Sequence, residues 1–243
     1  MCRHFIVAAG TIVVVLTGTV GAVAGRSGDK ASQGTQIPVL PAPGDFVKRI
    51  DNRYFPLRPG TTFIYRGTEQ GKARRVSVFV THKTKAILGI RATVVLDQVL
   101  VGGKPEEKTF DWYAQDKHGN VWYLGEESSD FVDGKWVRSD GSWEAGVNGA
   151  KAGIVMKANP RVGAAYRQEY YAGHAEDMAK VLSRNKSVTV TYGRFEHTLQ
   201  TSEWTPLERG VLEYKYYVKG IGNVLTVMVK GGSEEEHLVS ITR

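Results

Sequence analysis

From Phe46 onward, apolar and polar residues alternate in short runs, the period of strands with one buried face. Thr61–Arg66 is rich in β-branched and aromatic residues, and Val76–Thr81 alternates until Lys83. Arg91–Val101 predicts a long strand. Lys108–Gln115 and Asn120–Leu124 flank a turn at Asp116–Gly119, and Asp130–Val132 and Lys135–Arg138 flank Asp133-Gly134, the strongest short hairpin signal in the chain. Tyr166–Tyr171, Ser187–Tyr192, Thr198–Trp204, Val211–Val218, Asn223–Val229 and His237–Thr242 predict further strands, separated by glycine-bearing turns. Only Ala175–Leu182 predicts a helix, with Met178, Val181 and Leu182 on one side. Ser142–Asn159 shows little alternation and several glycines, and reads as a linker or a functional loop.

The pattern also repeats. Arg58-Pro59-Gly60-Thr61-Thr62-Phe63 is answered by Arg161-Val162-Gly163-Ala164-Ala165-Tyr166, and 161 − 58 is 103. Tyr113 and Gly119-Asn120-Val121 are answered by Tyr216 and Gly222-Asn223-Val224 at the same offset. Short strands about ten residues apart, echoed in this way, predict an all-β, mainly antiparallel protein. The expected form is a strongly bent sheet or β-clam built from two related halves, about 46–141 and 160–243, with at most one short helix. Residues 46–243 then form one domain, and 25–45, rich in Gly, Ser and Pro, form a tether.

The first 24 residues change the picture of where the protein works. Arg3 and His4 precede an uncharged apolar run from Phe5 to Val20, followed by Ala22-Val23-Ala24. This reads as a cleaved secretory signal, the alternative being a retained anchor; the run is short of the ~20 strongly apolar residues that a span needs. Cys2 is the only cysteine and lies ahead of that run, so cleavage leaves a thiol-free chain without disulfides. The expected location is secreted or cell-envelope, with no integral membrane character after cleavage. The net charge of +7 is scattered among acids and forms no basic stripe, which excludes nucleic acid as the expected partner and leaves cell-wall contact open.

Candidate chemistry is sparse. Glu126, Glu127 and Asp130 cluster after a strand carrying Trp122; two carboxylates flanking a glycosidic bond are what glycan hydrolysis needs. A solvated hairpin tip explains the same acids. His174, Glu176 and Asp177 offer an imidazole and two carboxylates within four residues, weak candidates for a metal, although acids at a helix start also serve its dipole. Asp116–Asn120 has its glycine misplaced for a calcium loop, and Gly220-Ile221-Gly222 is followed by a strand where a dinucleotide site needs a helix. No cofactor is expected. The aromatic pairs Phe63/Tyr65, Phe110/Trp112 and Tyr214/Tyr216, with Trp122, lie at strand spacing; they form either a packed core or an apolar cleft.

Three stretches carry a resemblance. These are Asp111-Trp112-Tyr113 through Gly119-Asn120 to Trp122-Tyr123 and Glu126, Asn159 through Tyr166 and Tyr171 to Asp177, and Tyr216-Tyr217 through Gly220 to Val224. Together with Tyr54-Phe55-Pro56-Leu57 and Gly60, they are similar to a large group of exported bacterial proteins, over about residues 50–242. No catalytic residue comes with that resemblance. More loosely, the chain resembles exported β-clam proteins of the lipoprotein-carrier type, which implies a curved antiparallel sheet around an apolar cleft. The expected function is therefore a non-enzymatic binding or carrier protein for a lipid, or another apolar or amphipathic ligand. The alternatives are a glycan-directed envelope hydrolase and a structural or interaction protein.

Overall fold

The structure, a computed structural model, describes residues 36–243; the expected signal segment and the start of the expected tether lie outside the described residues. A single 3-10 turn, Pro43–Asp45, precedes the strands. These begin with β1 (Phe46–Val47), β2 (Thr62–Glu69), β3 (Lys72–Ile87), β4 (Ile90–Val101), β5 (Lys104–Asp116) and β6 (Val121–Val132). Short strands follow: β7 (Lys135–Arg138), β8 (Trp143–Glu144), β9 (Lys151–Met156), β10 (Ala165–Arg167) and β11 (Glu169–Tyr170). The chain ends with β12 (Met178–Val190), β13 (Gly193–Trp204), β14 (Leu212–Val218), β15 (Gly222–Lys230) and β16 (Glu235–Thr242).

All pairings are antiparallel, in the order β10-β12-β13-β14-β15-β16-β2-β3-β4-β5-β6-β9-β11. The two ends of that order are consecutive in sequence, since only Gln168 separates β10 from β11. The segment from Ala165 to Tyr170 thus touches both edges and bends the sheet into a nearly closed ring, although β10 covers only Met178–Lys180 of the β12 edge. Among the described residues no helix is long and apolar enough to cross a membrane.

The echo in the sequence is matched in the backbone. β4 and β13 begin and end 103 residues apart. The Gly60 amide donates to the Val80 carbonyl at 2.8 Å, and the Val80 amide to the Thr61 carbonyl at 2.9 Å. The Gly163 amide donates to the Val181 carbonyl at 2.9 Å, and the Val181 amide to the Ala164 carbonyl at 3.0 Å. The halves also cap each other. Gly119 sits against Ala158, just ahead of the Arg161–Gly163 turn, and Gly222 sits near Tyr54 and Pro56, just ahead of the Arg58–Gly60 turn.

Two elements differ from expectation. Ala175–Leu182 is not a helix. Met178 opens strand β12, which runs on through the expected strand at 187–192 and pairs with β10 on one side and β13 on the other. The short helical pattern yields because two ladders of tertiary pairing outweigh a weak local preference. Ser142–Asn159 is not structureless either: it contributes β8 and β9, both paired with β6. The Asp133-Gly134 turn forms as expected, with φ of 49° and 80°, between paired Val132 and Lys135. Within the expected tether Leu40 packs on the core, and β1, the start of the expected domain, pairs with β5.

The interior mixes a large apolar cluster with charge. Twelve acidic but only three basic side chains are buried among the described residues. The bases are Arg74, which pairs with Glu69 and Glu236, Lys215, which lies 2.9 Å from Glu203 and 3.6 Å from Glu213, and Arg167. Buried acids thus outnumber buried bases four to one among the described residues.

Candidate functional site

Three of the buried acids, Asp111, Glu126 and Glu169, converge where β5, β6, β8 and β11 meet. Antiparallel register places Asp111 of β5 directly across from Glu126 of β6, and Glu126 across from Trp143 of β8. Paired residues share a face, so all three point inward. A bulge at Gly125 (φ 135°) shifts the register and lets Tyr123 join them. The Tyr123 hydroxyl lies 2.6 Å from Asp111 Oδ1 and 2.7 Å from Glu126 Oε2. A phenol has one proton, so one of the two contacts requires a protonated carboxyl that donates to the phenol oxygen.

The electrostatics agree. Burial raises Asp111 to about 8, reinforced by the Glu126 charge and opposed by hydrogen bonds from Tyr123 and Tyr113. Burial raises Glu126 to about 7, opposed by the Tyr123 hydrogen bond. Glu169 accepts from Trp143 Nε1 at 3.0 Å, and burial with the charges of Asp177 and Glu126 pushes it well above the usual carboxylate range. Asp177 is raised mainly by burial, against the pull of Lys215. Tyr113 stacks on Tyr123 at 4.9 Å and Trp143 meets Tyr123 edge-on at 5.3 Å, which fixes the phenol between its two partners.

Above this network lies an open cleft of about 270 Å³. Trp112, Glu126 and Glu127 line it from β5 and β6, Ser142, Trp143 and Glu144 line it from the stretch ahead of β9, and Tyr171 lines it from beyond β11. Lys85 closes one side, with Nζ 3.3 Å above the Trp112 ring and 2.7 Å from Glu144 Oε2. Arg138 and Asp140 stand at the rim. Two of the three stretches that carry the family resemblance, 111–126 and 159–177, thus meet at one place.

The expected residues are distributed unevenly. Trp112, Glu126 and Glu127 do line the cleft. Glu126 and Glu127 are neighbours on one strand, however, so alternation turns their carboxylates to opposite faces, and Asp130 is held by Ser139 at 2.8 Å farther along. No three-carboxylate site forms. Of the aromatic set, Phe63 and Tyr65 point into the ring, and Trp122 donates to Asp116 at 2.8 Å and packs on Phe46. Phe110, Tyr214 and Tyr216 sit half-buried on the other face, where the Tyr216 hydroxyl accepts from Gln200 at 3.0 Å. One aromatic cleft does not result.

His174, Glu176 and Asp177 part company too: His174 is exposed and stacked on Tyr171, Glu176 accepts from the Gly173 amide, and Asp177 points inward. Among the described residues no three His, Cys, Asp or Glu side chains are grouped to hold a metal ion. Sequence reasoning missed Lys85, Trp143, Gln168 and Glu169. The signal for Trp143 was a lone large ring inside a glycine-rich stretch. No signal marked Gln168, which is 1 % exposed with both amide atoms unpartnered.

No family model matches the chain, and no curated protein matches it. Among solved structures, a candidate lipoprotein from Parabacteroides distasonis ATCC 8503 is similar over 79% of this chain and 100% of that one, at 12% identity and a TM-score of 0.42. A likeness at that level carries no function across.

Proposed function

We propose that the protein is an exported, non-enzymatic binding module of the cell envelope whose ligand is hydroxyl-rich and glycan-like, held in the cleft over Asp111 and Glu126. The observation that carries this reading is the lining of the cleft. Indole rings stand among groups of both charges, Lys85 and Arg138 against Glu127, Asp140 and Glu144. Acids accept from sugar hydroxyls and bases donate to them, and the half-buried Tyr171 ring is the surface left for an apolar sugar face, since Trp112 and Trp143 are buried. A purely apolar ligand would leave those charges desolvated and unpaired, which is costly. The export expectation enters from the signal-like first 24 residues.

Binding is preferred over hydrolysis because a glycosidase needs two carboxyls facing one bond, and Glu126 and Glu127 face apart. The hydrolytic reading keeps one supporting observation, the proton that Glu126 holds near neutrality.

The test is isothermal titration with chitotetraose and with soluble fragments of envelope glycan, on the wild-type protein and on the exposed variants Glu127→Gln and Asp140→Asn. Saturable binding that weakens at least tenfold in the double variant supports the reading. Heats that do not saturate with any glycan would sink it. Product release that stops in Glu126→Gln would move the assignment to hydrolysis.

A further inference from the structure

A second pocket, of about 390 Å³, opens at the end of the ring where β2 begins and β16 finishes. Its size falls within the ~300–1,000 Å³ typical of small-ligand sites. Phe63, Tyr192, Ile221 and Ile241 supply its apolar walls, and Arg58 and Arg243 stand over them. These residues come from four separate places: the start of β2, the β12–β13 turn, the β14–β15 turn and the end of β16. The pocket is therefore built by the closed ring and not by one loop.

Three features define its chemistry. No Asp or Glu side chain lines it, although the chain holds 25 acids and the first cleft is lined by several. Both its charged residues are arginines, whose planar fork matches the two oxygens of a carboxylate or phosphate. Tyr192 is 42% exposed, an apolar ring left in water at the mouth of the pocket. On the same wall, Thr61 is buried and its hydroxyl has no partner in the protein. An unpartnered buried hydroxyl is costly unless something accepts its proton.

We infer that this pocket receives an anionic amphiphile, a carboxylate or phosphate head joined to an apolar chain, with the head on Arg58 and Arg243 and the chain against Phe63, Ile221 and Ile241. A neutral chain would gain nothing from the arginines, and a bare anion would leave the apolar walls in water. This site and the glycan cleft do not share a residue, so each stands or falls separately.

The test is titration of the delipidated protein with decanoate, decyl phosphate, decyl maltoside, decyltrimethylammonium and inorganic phosphate, all below micelle formation. The expected result is saturable binding of decanoate or decyl phosphate, at least tenfold tighter than the neutral and cationic chains and than phosphate alone. The tighter of the two names the source as a fatty-acid or a phosphate head. Arg58→Gln with Arg243→Gln should weaken binding at least tenfold without lowering the melting temperature, since both side chains are exposed. Ile221→Asp, which places a negative charge in the wall, should abolish it. Equal affinity for all four head groups, phosphate binding as tight as decyl phosphate, or an unaffected double arginine variant would each overturn the inference.

Discussion

Tyr123 has a single proton to share with two buried carboxyls, and that shortage explains much of the interior. Replacing the phenol by phenylalanine leaves Asp111 and Glu126 without their common partner at 2.6 and 2.7 Å. Tyr123→Phe should lower stability by about 1–3 kcal/mol in urea unfolding, the cost of stranding a buried polar group. Lys215→Met strands Glu203 and Glu213 in the same way, and the loss should be about 3–5 kcal/mol at neutral pH.

The pH dependence has a definite sign. Asp111 and Glu126 titrate near 8 and 7 in the folded protein, above the ordinary carboxylate values of ~4 that they regain on unfolding. Between those limits the folded state holds more protons, so stability is full below about pH 4 and falls as pH rises towards 8. The urea midpoint should be lower at pH 8 than at pH 5, and Asp111→Asn with Glu126→Gln should shrink the difference, the remainder coming from other buried acids such as Glu213 and Glu234, raised to about 7 and about 8. A midpoint that rises over this interval would contradict the assignment.

Strands were readable from alternation because each buries one face; that is why the hairpins at Asp133-Gly134 and around Gly220 fall where composition places them. The segment 175–182 was not, since Met178 and Val181 satisfy a helix as well as a strand, and only pairing with β10 and β13 decides. The closing seam was invisible for a related reason. β10 and β11 are three and two residues long, too short to show a period. Their position rests instead on Gly153 of β9. A Cβ there would lie 2.3 Å from the Gln168 carbonyl carbon and 2.6 Å from the Glu169 nitrogen, both backbone atoms that cannot step aside. Gly153→Ala should therefore cost about 1–3 kcal/mol and speed hydrogen exchange at Gln168–Tyr170. Gly44→Ala, which meets nothing within 4 Å, should stay within about 0.5 kcal/mol of wild type.

The whole molecule is a ring of two halves, each resting a glycine turn against the other. Its acidic interior is the consequence of closing a sheet whose inward positions carry Asp97, Asp111, Glu126, Glu169 and Glu213 with few bases to match. Part of the candidate site was present in the sequence, because Trp112 and Glu126 lie within one motif on adjacent strands. The rest was not: Trp143 reaches the cleft through β8 on β6, Lys85 from β3 two strands away, and Tyr171 from beyond β11 at the closing seam. The glycan reading and the amphiphile reading occupy separate regions of the ring, so a residue-resolved map of binding separates them. That map is an amide chemical-shift titration of labelled protein with chitotetraose. Shifts confined to the surroundings of Trp112, Glu127, Trp143 and Tyr171 are the predicted result. Shifts centred on Phe63, Tyr192 and Ile221, or none at saturating sugar, would contradict the placement of the principal site.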